Sequence, residues 1–151
     1  MIELRRTNSS NFEFRELILE LDNELWTRYN TLQTTYNQFN IIASLETVIV
    51  AYQSEQPVGC GCFREYSSDT VEIKRMYVKP ELRGKGISKQ VLHALEQWAA
   101  ELGYKTALLE TGKGQPEASG LFIKYGYKQI ENYGQYHKMT SSLCFEKKLI
   151  P

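Results

Sequence analysis

The chain predicts a mixed α/β fold, on three observations: short runs of strand composition, apolar residues recurring at helical spacing, and polar or glycine-bearing turns between them. Its 151 residues are the size of one ordinary domain with a full hydrophobic core, so one domain over 1–151 is expected. A short strand at residues 2–6 opens the chain. Asn8-Ser9-Ser10-Asn11 then offers side chains that can cap free helix amides, and Phe14, Leu17, Ile18 and Leu21 supply the stripe of a first helix. Residues 25–40 hold Trp26, Tyr29, Tyr36 and Phe39 with poor periodicity, which reads as a short helix plus loops. Residues 47–52 and 58–63 read as hairpin strands joined by a turn over 53–57, and a second turn at 66–69 leads to a strand over 71–78. Ile87, Val91, Leu95 and Trp98 mark a second helix, 106–109 a further strand, and Pro116-Glu117 a third helix start. Two strands near 127–131 and 143–148 close the chain, joined by a loop holding Gly134, Tyr136 and His137.

Composition excludes several classes of function. Lys and Arg number 18, as do Asp and Glu, so no global charge argues for nucleic acid or an acidic membrane surface as partner. Residues 1–6 lack the apolar core of a signal peptide and no run reaches the length of a membrane span, so a soluble cytoplasmic protein is expected. Cys60, Cys62 and Cys144 are too few and odd in number for a disulfide framework. Cys60-Gly61-Cys62 has no companion Cys or His pair at zinc spacing, so no metal is assigned, and nothing local marks any of the three as an activated thiolate.

The segment Val78-Lys79-Pro80-Glu81-Leu82-Arg83-Gly84-Lys85-Gly86-Ile87-Ser88 carries the most information. It reads as a strand end, a basic glycine turn and the first turn of a helix. Glycines let the backbone approach an anion, and the free N–H groups and dipole of a helix start favour negative charge. Arg83, Lys85 and Lys89 add cations beside it. A dinucleotide fingerprint would need glycine where Lys89 stands, although Glu110 does follow a strand at 106–109; no Walker A sequence occurs anywhere.

Arg83-Gly84-Lys85-Gly86-Ile87-Ser88 resembles motif A of the GNAT superfamily of acetyl-CoA-dependent N-acetyltransferases, with Ser88 at a position usually Gly or Ala. Gln115-Pro116-Glu117-Ala118-Ser119-Gly120-Leu121-Phe122-Ile123-Lys124-Tyr125-Gly126-Tyr127 resembles the family's motif B with two substitutions. The resemblance implies a mixed, mostly antiparallel sheet flanked by helices on both faces and splayed in the middle, between the strand ending at Val78 and the strand ending near Glu110. CoA would lie in the gap. Backbone groups around Met76, Tyr77 and Val78 would bind the pantetheine arm and polarise the acetyl carbonyl. Amides of Arg83, Gly84, Lys85, Gly86, Ile87 and Ser88 would hold the pyrophosphate, with Gln115, Phe122 and Lys124 contributing from the second motif. The implied reaction moves an acetyl group from acetyl-CoA to a primary amine of a small molecule or peptide, by direct attack in a ternary complex. The resemblance also allows a homodimer. An acyl-CoA-binding module without turnover, or an enzyme for longer acyl groups, are the alternatives.

Such a transfer needs a neutral amine, stabilisation of the carbonyl oxygen and an outlet for the thiolate. Glu72 is the expected base: it sits mid-strand where apolar residues belong, and two-residue alternation places it on a face with Met76 and Val78. The competing reading is a salt bridge to Lys74 or Arg75. Where the family often has an acid-donating Tyr this chain has Phe122, which leaves water, Tyr125, Tyr127 or Tyr136 as sources of the proton. His93 lies opposite the apolar stripe of its helix, and His137 sits in a polar, aromatic loop; both read as surface residues.

Overall fold

The computed structural model describes residues 1–29 and 45–149. Among them are seven strands, β1 (Ile2–Thr7), β2 (Val48–Gln53), β3 (Gln56–Ser67), β4 (Thr70–Val78), β5 (Thr106–Gly112), β6 (Lys128–Ile130) and β7 (Ser142–Lys148), and three helices, α1 (Phe12–Tyr29), α2 (Ile87–Glu101) and α3 (Pro116–Lys124). The strands form one sheet in the order β1-β2-β3-β4-β5-β7-β6. Every neighbouring pair is antiparallel except β4 and β5, which are parallel and linked through α2. The sheet is therefore mixed and mostly antiparallel, with helices on both faces.

Local chemistry accounts for the element ends. Asn11 Oδ1 accepts from the Phe14 amide at 2.8 Å, capping α1. Phe14, Leu17 and Leu21 then bury against Val48, Val50, Tyr52, Cys60, Cys62 and Tyr77. This helix runs on to Tyr29, longer than its broken periodicity suggested, while Tyr36 and Phe39 lie outside the described residues. The β2–β3 turn is tighter than the expected 53–57: Ser54 and Glu55 alone turn it, both at positive φ, and Pro57 falls inside β3. Strand β5 extends past Leu109 because β7 pairs with it as far as Gly112↔Ser142.

The other face is covered by α2. Ile87, Val91, Leu92, Leu95 and Ala99 bury into a core with Ile49, Phe63, Val71, Ile73, Leu109 and Phe145. Each large side chain buried there contributes about 1.5–3 kcal/mol. Gly61 lets the helix approach, since a Cβ at that position would lie 2.6 Å from Met76 Sδ and 2.9 Å from Leu95 Cδ1. At the far end of α2, buried Glu96 accepts from Tyr127 Oη at 2.8 Å and Lys147 Nζ at 3.0 Å, tying α2 to the segment after α3 and to β7.

Two irregularities in the middle of the sheet create the site. Pairing of β4 with β5 runs only from Thr70↔Thr106 to Ile73↔Leu109. Beyond that, β4 stays with β3 and β5 stays with β7, so the two strands part. The second is a bulge: Cys60 faces Tyr77 and Cys62 faces Lys74, so Gly61 alone opposes Arg75 and Met76. Arg75 takes a left-handed φ of 58° there. The Cys62 and Cys60 thiols approach the carbonyls of Lys74 and Arg75 at 3.3 and 3.5 Å, satisfying backbone groups that the interrupted ladder leaves over.

The bulge corrects one expectation. Strict alternation would put Glu72 with Met76 and Val78, but the extra residue shifts the phase. Met76 and Val78 join Val71 and Ile73 on the α2 face, and Glu72 lies with Lys74 and Tyr77 on the α1 face.

Candidate active site

A cleft of about 150 Å³ opens where β4 and β5 part. Its α2 side is lined by Ile73, Met76, Leu109, Thr111, Ala118 and Phe122, with Gln115 at the start of α3. Its α1 side is lined by Leu21, Leu25, Lys74, Arg75 and Glu110. The walls differ in chemistry: one is apolar with a few neutral polar groups, the other carries all the charge.

The glycine turn follows β4 and opens α2. Gly84 and Gly86 both take left-handed φ, 81° and 83°, which a side chain would strain although nothing lies within 4 Å of a Cβ at either position. Among the described residues no backbone carbonyl accepts from the amides of Gly84, Lys85 or Gly86. The next amides open α2, where the first helical bond is Gln90 N to Gly86 O at 3.2 Å. Free amides, positive helix end and exposed Lys85 and Lys89 fit a pyrophosphate. Ile87 is buried beneath this turn and Ser88 half-buried beside it. Arg83 departs from its expected part. Its amide bonds Pro80 O at 3.3 Å, and its guanidinium reaches Val78 O at 2.8 Å and Glu24 Oε1 at 2.7 Å, lacing α1 to the end of β4.

Tyr77 is buried on the α1 face, its hydroxyl 3.2 Å from Glu20 Oε1; burial pushes that hydroxyl up to about 12. Met76, Gln115 and Phe122 line the cleft, and Lys124 is exposed at the end of α3.

Glu72 is not in the cleft wall. It is 1% exposed, with Nε and Nη2 of Arg64 both 2.8 Å from its Oε1 and the Tyr133 hydroxyl donating to Oε2 at 2.7 Å. Lys74 Nζ stands 3.9 Å away. The carboxylate is thus an anchor: through Tyr133 it holds the β6–β7 loop under the sheet. Asn132 braces the same loop, donating to the carbonyls of Tyr136, Met139 and Ser142 at 3.0–3.2 Å.

Neither Tyr125 nor Tyr136 lines the cleft. Tyr125 ends α3 with its ring against Lys89 Nζ at 5.9 Å, toward α2. Tyr136 is 1% exposed, packed against Tyr133 and Cys144 on the α1 face, and burial raises its hydroxyl well above the usual tyrosine range. Tyr127 is committed to Glu96, and both histidines are exposed as expected.

The group that sequence reasoning passed over is Glu110. It is the first residue of β5 past the last β4 pair, on the same face as Glu72 and Lys74, and it lines the cleft. Burial pushes its carboxyl up to about 7, against a hydrogen bond from Ser142 that pulls it down, and nearby Glu72 raises it further. The available signal was an acidic residue closing an otherwise apolar strand.

Parallel strands that part over a cleft, with a glycine turn of free amides opening the helix between them, are what the resemblance to acyl-CoA-dependent transferases implies. The acetyltransferase (GNAT) family model matches residues 11–127, and the chain belongs to that family. It is 32% identical over 142 residues to an IAA acetyltransferase of Azospirillum brasilense, covering 89% of each chain. A solved structure from Klebsiella pneumoniae, assigned to the acyl-CoA N-acyltransferases, superposes with a TM-score of 0.78 at 27% identity over 99% of this chain and 97% of that one. A GNAT acetyltransferase from Elizabethkingia anophelis, solved with acetyl-CoA bound, shares the fold at a TM-score of 0.72 and 17% identity, covering 98% of each chain. Family membership makes the chain an acyltransferase, and the reading as a binding module without turnover gives way.

Proposed function

We propose that the protein is an N-acetyltransferase that takes its acetyl group from acetyl-CoA and passes it to a primary amine by direct attack, with Glu110 rather than Glu72 as general base. Acetyl-CoA supplies the acetyl group as an activated thioester. Gly84, Lys85, Gly86, Ile87 and Ser88 would hold its pyrophosphate, and Met76, Gln115 and Phe122 would line the path of its arm. Glu110 accepts the amine's proton as the new N–C bond forms and the C–S bond breaks, and the thiolate is reprotonated from solvent because Phe122 has no proton to give. The buried thiols support direct attack over an acyl-cysteine: burial raises Cys62 to about 12 and Cys144 to about 11.

The observation that carries this reading is the Glu110 carboxyl, at about 7 beside the cleft, since a base works best when its pKa matches the working pH. The test is mass-spectrometric detection of acetylated products from an amine and peptide library incubated with acetyl-CoA. Transfer with an acid limb near pH 7 is expected. Absence of any acetylated amine overturns the reading, and preference for propionyl- or succinyl-CoA replaces acetyl with a longer acyl group.

A further inference from the structure

We infer that Ser142 is a positioning residue for the transfer: from the start of β7 its hydroxyl donates to the Glu110 carboxyl, fixes its orientation and favours its ionised form. This deepens the site just described and rests on the reading of Glu110 as the base.

Three observations carry it. The first is placement. Along β7, Leu143 packs into the α2-side core and Cys144 packs with Tyr136 on the α1 face, so two-residue alternation puts Ser142 on the face of Cys144. Across the ladder Cys144 opposes Glu110 and Ser142 opposes Gly112. Ser142 and Glu110 are therefore diagonal neighbours on one face. Gly112 has no side chain, so the Glu110 side chain can lean along β5 toward the serine.

The second is hydrogen bonding. Ser142 is 2% exposed, and its hydroxyl donates to the Glu110 carboxyl. Oε2 of Glu110 has no partner among the described residues, so the bond goes to the other oxygen and Oε2 keeps its capacity to accept a proton. A donor on a carboxylate stabilises the charged form, and here it works against the burial that favours the neutral one.

The third is anchorage. The Ser142 amide bonds Met139 O at 3.0 Å, its carbonyl accepts from Asn132 Nδ2 at 3.2 Å, and the loop before it is tied to Glu72 through the Tyr133 hydroxyl at 2.7 Å. A residue held at both backbone groups offers its hydroxyl from a fixed point. The other groups facing Glu110 act through charge or stay neutral. On β4, Glu72 raises its carboxyl and Lys74 lowers it, while Arg75 is paired with Asp22 of α1. Burial keeps Cys144 and Tyr136 neutral, and α3 presents the uncharged Gln115 and Ala118.

The test is an NMR titration of protein labelled at the glutamate side-chain carboxyls, with the Glu110 signal assigned by its loss in Glu110→Gln. Ser142→Ala should move the Glu110 midpoint up from about 7 by about one unit, the effect of one hydrogen bond to a charged group. Ser142→Thr keeps the hydroxyl and should stay within about 0.3 unit of wild type. Ser142→Cys keeps the bulk with only a weak donor, and gives the same upward reading should Ser142→Ala fail to fold. Turnover with acetyl-CoA and an amine acetylated in the library assay should follow: kcat of Ser142→Ala falls about tenfold relative to wild type near pH 6 and stays within about threefold near pH 9. A purely structural role would lower kcat equally at both. A Glu110 midpoint unmoved in Ser142→Ala and Ser142→Cys, or moved as far by Ser142→Thr, overturns the inference, and this readout needs no acceptor. A midpoint that moves while the pH–rate profile stays still removes Glu110 as the base and leaves the Ser142 contact standing.

Discussion

Glu72 and Glu110 are carboxylates on adjacent strands and the same face of one sheet, separated by the point where those strands part. Below it β4 and β5 are hydrogen-bonded, and Glu72 is enclosed, with Arg64 and Tyr133 taking both its oxygens. Above it the ladder is open, and Glu110 borders a cleft with one oxygen unpaired among the described residues. Backbone pairing, more than residue type, sets whether an acid in a central strand becomes an anchor or a base. The largest test of that difference is Glu110→Gln. Loss of a general base typically costs about 10²–10⁴-fold, so kcat should fall by roughly 10²–10³-fold and the acid limb of the pH–rate profile near pH 7 should vanish. Calorimetry should find acetyl-CoA binding within about twofold of wild type. A kcat within tenfold of wild type would make Glu110 a bystander.

The same variant should be more stable than wild type in alkaline solution. The Glu110 carboxyl titrates at about 7 folded against 4.5 as an ordinary side chain, so between those values the native state binds more protons than the unfolded one. Stability from this group is therefore greatest below pH 4.5, declines as pH rises toward 7, and is flat beyond. A shift from 4.5 to about 7 is worth about 3.4 kcal/mol. Denaturant unfolding should find Glu110→Gln more stable than wild type by that amount at pH 8, with the gap closing toward pH 5. A constant gap would assign the effect to packing.

How much of this could be read beforehand follows the same divide. Motif A lies on consecutive residues, so Gly84 and Gly86 were legible as a left-handed glycine turn, and the stripe of Ile87, Val91 and Leu95 as the helix behind it. The order of strands and the gap between them came with the family resemblance. Glu72 was misplaced because its face was inferred by counting in twos, and no local feature of Lys74-Arg75-Met76 announces a bulge. That bulge is a tertiary matter: it needs Gly61 opposite, Asp22 on α1 to hold the left-handed Arg75, and two thiols beneath the displaced carbonyls. Arg83 was legible as a cation but not as one occupied by Glu24, 59 residues away in the chain.

A smaller effect is expected at the cradle. Gly86→Ala meets no neighbour, so its cost is the left-handed φ of 83° alone, about 1–2 kcal/mol. KM for acetyl-CoA should rise severalfold as the turn relaxes, with acceptor KM unchanged. Changes confined to the acceptor would mean that the cradle and the charged wall are not separate devices.

The smallest expected effect on turnover is at Glu72. Gln at that position keeps the size of the side chain and an oxygen for Arg64, while its amide can meet the Tyr133 hydroxyl. Water can solvate Arg64, which is 36% exposed, but buried Lys74 at 3.9 Å loses its counter-charge, so the cost in stability should be about 3 kcal/mol. Turnover should remain within about threefold, and the acid limb should persist. It should also move slightly to lower pH, by less than about one unit, because the Glu72 anion is one of the groups that raise Glu110. An anchor and a base therefore predict different profiles for one substitution: a displaced limb if Glu72 acts only through the loop and the local field, no limb at all if it takes the proton. Disappearance of the limb in Glu72→Gln would reverse the assignment of the two carboxylates.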